Sequence, residues 1–228
     1  MLNHAEAPIS TKARAWHRSA AVFVHGLWMM NLNTLLLRQR VQAAYGLECV
    51  AFQYSAHAST PAEIVARLAD FIAGLRIDQL HLVGHSLGGL IVMRLLTQAA
   101  ALPPGRVVLL GAPVVRSRAA ESLAASTLGR LMLGPAGLEE LVHEQGRTWN
   151  GEREIGCIAG NLRFGLGHVI GRIAEENDGS IAVEETRLPG ARDHIVLPVS
   201  HTGMLFSQEV AQQVGAFLTR GAFLRPAA

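Results

Sequence analysis

Cysteine, lysine and aspartate are all scarce in this chain, and each shortage removes a class of explanation. Only Cys49 and Cys157 occur in 228 residues, with no Cys-x-x-Cys pair and no Cys/His metal spacing. Neither a disulfide framework nor a structural metal is therefore expected to hold the fold together. Both cysteines sit in apolar, strand-like runs and read as small buried hydrophobes, with a pairing between them left open. Lysine occurs once; the other basic residues are arginines, interspersed with acids to a net charge of +2. No basic stripe forms, which argues against a nucleic-acid surface. No stretch of about 18 uninterrupted apolar residues exists, so no transmembrane helix is expected. Residues 1–19 carry Lys12, Arg14 and Arg18 but no apolar core of signal-peptide length, and the expectation is a cytoplasmic protein. Charged residues make up 17% of the chain and hydrophobic ones 50%, which excludes disorder. The length suits one domain, residues 20–228, behind an extension over residues 1–19.

Short apolar runs alternate with helical patterns. Strands are expected at Ala20–Val24, Glu48–Phe52, Gln79–Val83, Arg106–Leu110, Glu154–Ala159 and, more weakly, Ile195–Leu197. Helices are expected over 33–45, from Pro61 to Leu75 with Ile64, Leu68, Phe71, Ile72 and Leu75 along one side, from Leu87 to about Leu102, and from Ser207 to Leu218. Strands apolar on consecutive residues and separated by helices mean a parallel sheet covered on both faces. The expected class is α/β, a three-layer α/β/α sandwich around a mostly parallel six-stranded sheet. Residues 112–151 are long for a connection. They are read either as an ordinary crossover helix plus loop or as a small cap, with pieces at Leu123–Leu133 and Leu138–His143 separated by Gly134-Pro135. In the cap reading, Leu128, Leu131, Met132, Leu138 and Leu141 would face an acyl group.

Chemistry concentrates at Gly84-His85-Ser86-Leu87-Gly88, a G-x-S-x-G motif with an apolar strand before it and an apolar helix after it. A serine on so tight a turn needs strained dihedrals and small neighbours two residues away on each side, which glycine supplies. Such a turn projects the Ser86 hydroxyl from the carboxyl edge of the sheet, where open α/β sheets bind ligands.

A serine nucleophile needs a base. Among ten histidines, His201 follows the last strand and precedes the last helix, and so falls on a carboxyl-edge loop. His81 lies within a strand, His85 in the elbow, His194 at a strand start, and His143 and His168 precede the expected acid. A carboxylate must hold that base in one tautomer. Of the four aspartates, Asp70 is on a helix, and Asp78 and Asp193 precede strands. Asp178 lies after the fifth strand and before His201 without leading into a strand, with Glu175 or Glu176 as substitutes. Oxyanion donors are expected in the N–H groups of Leu87, directly after the nucleophile, and Leu27, in the His25-Gly26-Leu27-Trp28 turn. Trp28, Met29 and Met30 would wall the site or serve the core; Leu131 and Met132 are the cap's substrate-facing candidates.

Four stretches carry a family resemblance: Val24-His25-Gly26-Leu27, Leu82 to Gly89, Asp178-Gly179-Ser180-Ile181-Ala182-Val183, and Ser200-His201-Thr202-Gly203-Met204-Leu205. Together they resemble the α/β-hydrolase superfamily, in particular small bacterial lipases and esterases that lack the first two strands. The resemblance implies a minimal α/β-hydrolase fold and hydrolysis of a small-molecule ester through an acyl-enzyme, with no cofactor or metal. The separation of 23 residues between Asp178 and His201 is similar to that family's and favours Asp178 over Asp193. The bulky Trp28-Met29-Met30, where small residues are common, points to short or medium acyl chains rather than interfacial lipase activity. An acyl thioesterase using the same triad, or a non-catalytic binding protein on the same scaffold, are the competing readings.

Overall fold

The computed structural model describes residues 18–98, 101–164 and 174–225. Along the chain run β1 (Ser19–Val24), α1 (Leu35–Tyr45), β2 (Glu48–Phe52), α2 (Pro61–Gly74), β3 (Gln79–His85), α3 (Leu87–Gln98), β4 (Val107–Leu110), α4 (Arg118–Ala124), α5 (Thr127–Leu138), β5 (Ile155–Gly160), β6 (Asp193–Leu197) and α6 (Gln208–Arg220). The six strands form one sheet in the order β2-β1-β3-β4-β5-β6, and every pairing is parallel.

Alternation along each strand sorts side chains between two cores, because successive Cβ atoms point to opposite faces. Ala20, Val22 and Val24 of β1, with Leu80 and Leu82 of β3, pack against Ile64, Leu68 and Ile72 of α2 and the apolar length of α3. Ala21, Phe23 and Val83 face the other way, onto Leu37 and Val41 of α1 and Val210, Val214 and Phe217 of α6. Thr60 caps α2 by accepting from the Glu63 N–H, and Glu63 returns the bond to the Thr60 N–H, with Pro61 at the first helical position. The helix expected to reach Leu102 is described to Gln98, and residues 101–104 are not helical. Pro103 and Pro104 disfavour helix immediately before them. Among the described residues, no helix is long and apolar enough to cross a membrane.

Cys49 on β2 and Cys157 on β5 are separated by three strands and remain free thiols, closing the question of their pairing. Burial pushes both up to about 12, which keeps them protonated and unreactive. His81, in mid β3, accepts the Arg106 N–H on Nδ1 at 3.1 Å. Burial, with the charges of Arg106 and Arg153, lowers it from 6.5 to about 4. A group neutral in the fold but protonated near 6.5 when unfolded contributes stability present above pH 6.5 and lost as pH falls towards 4. Urea unfolding should therefore show stability dropping across that window, by about 3 kcal/mol from His81 alone. His81→Asn keeps an acceptor without the titration, so its pH dependence should be visibly shallower; an unchanged slope would refute the assignment.

Candidate active site

Ser86 occupies the junction of β3 and α3 with φ of 53°, a left-handed conformation that is strained for a serine. Its N–H is bonded to the Leu110 carbonyl at 2.9 Å, and its carbonyl accepts from Gly89 at 2.9 Å. The turn closes only because its flanks are bare. A Cβ on Gly84 would come 2.5 Å from the Gly89 Cα, and one on Gly88 would run into the carbonyl oxygens of Val24 and His25. The contact at Gly88 presses the first turn of α3 onto the end of β1. That brings Leu87 and the Leu27 turn to one place. Leu87 opens α3, where backbone N–H groups have no intrahelical acceptor.

Asp178 is buried, on a loop folded about its own carboxylate. Oδ1 accepts from the N–H groups of Ser180 and Ile181 at 2.9 and 2.7 Å. Oδ2 meets His201 Nδ1 at 2.7 Å, and the Asp178 carbonyl accepts the His201 N–H at 2.9 Å. Gly111, with φ of 52°, closes the space behind this pair, since a Cβ there would lie 3.0 Å from His201 Nδ1 and 3.2 Å from Asp178 Oδ2. With Oδ2 accepting, His201 carries its proton on Nδ1 and turns Nε2 outward as an acceptor.

Ser86 and His201 line one cavity of about 240 Å³ with mostly apolar walls, including Leu27, Trp28, Met29, Leu123, Leu133, Leu141 and Phe164. No hydrogen bond joins the Ser86 hydroxyl to His201 among the described contacts, a separation common in resting sites that tighten around substrate. Trp28, with φ of 58°, anchors its indole N–H on the Met132 carbonyl at 2.8 Å.

The rival residues have other partners. Asp193 is the first residue of β6, at the opposite edge, paired with Arg225; Asp78 accepts the Arg18 N–H. Glu175 pairs with Arg118, and Glu176 accepts from Asn161. His194 bonds Thr186 at 2.9 Å, and His168 lies outside the described residues.

Three substrate-facing expectations do not match the placement. Leu131 and Met132 are 74% and 40% exposed on the outer face of α5, together with Leu128. The helix instead buries Gly129, Leu133, Ala136 and Gly137. That inner face admits Leu133 but is crowded at Gly129, where a Cβ would lie 1.8 Å from the Leu123 carbonyl oxygen. Ser126 restarts the helix after α4, and Gly134, with φ of 65°, breaks it where a Cβ would strike His57. Leu138, also expected to face the acyl group, is half-buried against the core.

Sequence reasoning also missed His85. Its Nε2 donates to the His201 carbonyl at 3.0 Å, and the two rings lie 4.7 Å apart. Burial and the neighbouring His201 push His85 down to about 3. Phe164, on an irregular loop, carries no sequence signal of its place in the cavity wall. Among the described residues, no cluster of three or more His, Cys, Asp or Glu side chains is arranged to hold a metal ion.

This sheet and serine elbow define an α/β hydrolase. The chain belongs to the Alpha/beta hydrolase family, whose match spans residues 21–168. Among solved structures it is similar to the mature lipase BlEst2 of Bacillus licheniformis, at 19% identity and a TM-score of 0.69, covering 97% of this chain and 96% of that one. It is also similar to the pyrethroid hydrolase PytH, at 16% identity and 0.58, covering 89% and 98%. A bromoperoxidase from Bacillus anthracis matches at 12% identity and 0.59, covering 88% and 92%. At these identities the likeness is one of fold. No curated protein matches the sequence.

Proposed function

We propose that this hydrolase is a serine carboxylesterase acting on short to medium acyl esters through Ser86, His201 and Asp178. The observation that carries the reading is the 2.7 Å bond from His201 Nδ1 to a carboxylate whose other oxygen is held by two backbone N–H groups, with His201 and Ser86 on the same apolar cavity. In the first half-reaction His201 Nε2 takes the Ser86 proton while Oγ attacks the ester carbonyl carbon. The Leu27 and Leu87 N–H groups hold the oxyanion, and Asp178 stabilises the imidazolium. His201 then protonates the leaving alkoxide, and an acyl-Ser86 ester remains. Water attacks that ester with His201 again as base, releasing the acid and restoring the hydroxyl.

The cavity, at about 240 Å³, is smaller than the roughly 300–1,000 Å³ that encloses drug-sized ligands, which supports a modest acyl chain. With p-nitrophenyl esters from acetate to palmitate, kcat/KM should peak at short or medium length and fall steeply by palmitate. Matched thioesters run in parallel should be poorer substrates; a strong thioester preference would replace this reading with a thioesterase.

A further inference from the structure

The Leu27 N–H, an oxyanion donor in the proposed chemistry, sits on an irregular turn. A catalytic donor must be fixed before the reaction if it is to stabilise developing charge. His25, directly before that turn, is 2% exposed and faces away from the cavity, stacked on Tyr54 with ring centroids 4.4 Å apart. Its Nδ1 lies 2.9 Å from the Gly26 carbonyl oxygen. A carbonyl only accepts, so Nδ1 carries the proton. The weaker contact on the other nitrogen agrees, because the Tyr54 N–H points at Nε2 from 3.5 Å. Burial lowers His25 and so favours the neutral ring.

The Gly26 carbonyl and the Leu27 N–H belong to one peptide unit, and the structure contains no cis peptide bond among the described residues. In a planar trans peptide the two groups point in opposite directions. A histidine that pulls the Gly26 oxygen towards the buried Tyr54 side therefore turns the Leu27 N–H the other way. That is the side of Ser86, since a Cβ on Gly26 would meet the Ser86 Cβ at 3.1 Å and Leu27 lines the cavity. Tyr54 holds the assembly from behind, donating its hydroxyl to the His25 carbonyl at 2.8 Å. We propose that His25 is a positioning residue: by bonding the Gly26 carbonyl it orients the Gly26–Leu27 peptide so that the Leu27 N–H faces the oxyanion. The proposal rests on the esterase reading above.

His25→Phe keeps a ring on Tyr54 but removes the donor, and His25→Asn restores an N–H near the Nδ1 position. With p-nitrophenyl butyrate, His25→Phe should lose about 10- to 100-fold in kcat with KM nearly unchanged. A boronic acid that mimics the tetrahedral intermediate should bind more weakly by a similar factor. His25→Asn should recover most of both. A merely structural role would instead lower the melting temperature, and neither the kcat-specific loss nor the rescue would follow. If His25→Phe does not fold, imidazole nitrogen NMR of the wild type decides: the Nδ1–H tautomer supports the role and the Nε2–H tautomer overturns it. Active wild type with unaffected kcat in His25→Phe, or loss without rescue by asparagine, overturns the role of His25 alone. A wild type that neither hydrolyses esters nor takes up a fluorophosphonate at Ser86 overturns the esterase reading, and this role with it.

Discussion

Ser86→Ala should reduce ester turnover by about 10⁴-fold or more and abolish covalent labelling by a fluorophosphonate probe, with far-UV circular dichroism and melting temperature unchanged. The structural part of that expectation follows from the surroundings of the hydroxyl. It makes no side-chain hydrogen bond among the described residues, and the turn is held by backbone bonds to Leu110 and from Gly89. Alanine keeps the same Cβ and so bears the same left-handed strain as serine, and the elbow should persist. Labelling that continues at another residue, or turnover within tenfold of wild type, would remove Ser86 from the chemistry.

Asp178→Asn should lower kcat by about 10⁴-fold while leaving the fold intact. An asparagine oxygen can still accept from Ser180 and Ile181, so the loop has its two internal bonds. The amide nitrogen would then replace the oxygen facing His201 Nδ1. Two N–H donors cannot bond each other, so the imidazole would move its proton to Nε2 and be unable to accept from Ser86. Asp193→Asn is the control, because Asp193 pairs with Arg225 at the opposite sheet edge. It should cost some stability at that edge and leave kcat unaltered. The reverse pattern would transfer the acid role to Asp193.

These two variants probe residues that local chemistry made legible. Ser86 is framed by glycines whose absence of side chains is written in the sequence, and the clash that each would cause is local to one turn. Asp178 was accessible by elimination, as few aspartates exist and the strand order places only one at the correct edge. The sheet was legible for a similar reason: a strand buried on both faces is apolar throughout, and its neighbours are implied by alternation with helices. Even so, β3 extends to His85 rather than stopping at Val83, and β6 begins at Asp193. Strand ends are set by which partner backbone is in reach.

The inward face of α5 was not legible. Leu128, Leu131 and Met132 are exposed, while Leu133 is turned inside together with Gly129, Ala136 and Gly137, because the distance between packed elements decides at each position which volume fits. The contacts of His85 with His201 and of Tyr54 with His25 span 116 and 29 residues of chain. No local pattern encodes a hydrogen bond of that range.

By itself, then, the sequence determined the α/β class, the parallel sheet and the chemical identity of the elbow, since these follow from periodicity, polarity and the steric demands of one turn. Only the tertiary structure decided which side chains wall the cavity, which face of α5 is hidden and which histidines brace their neighbours. Those outcomes depend on distances between elements remote in the chain, and close packing settles them only when the whole sheet is assembled.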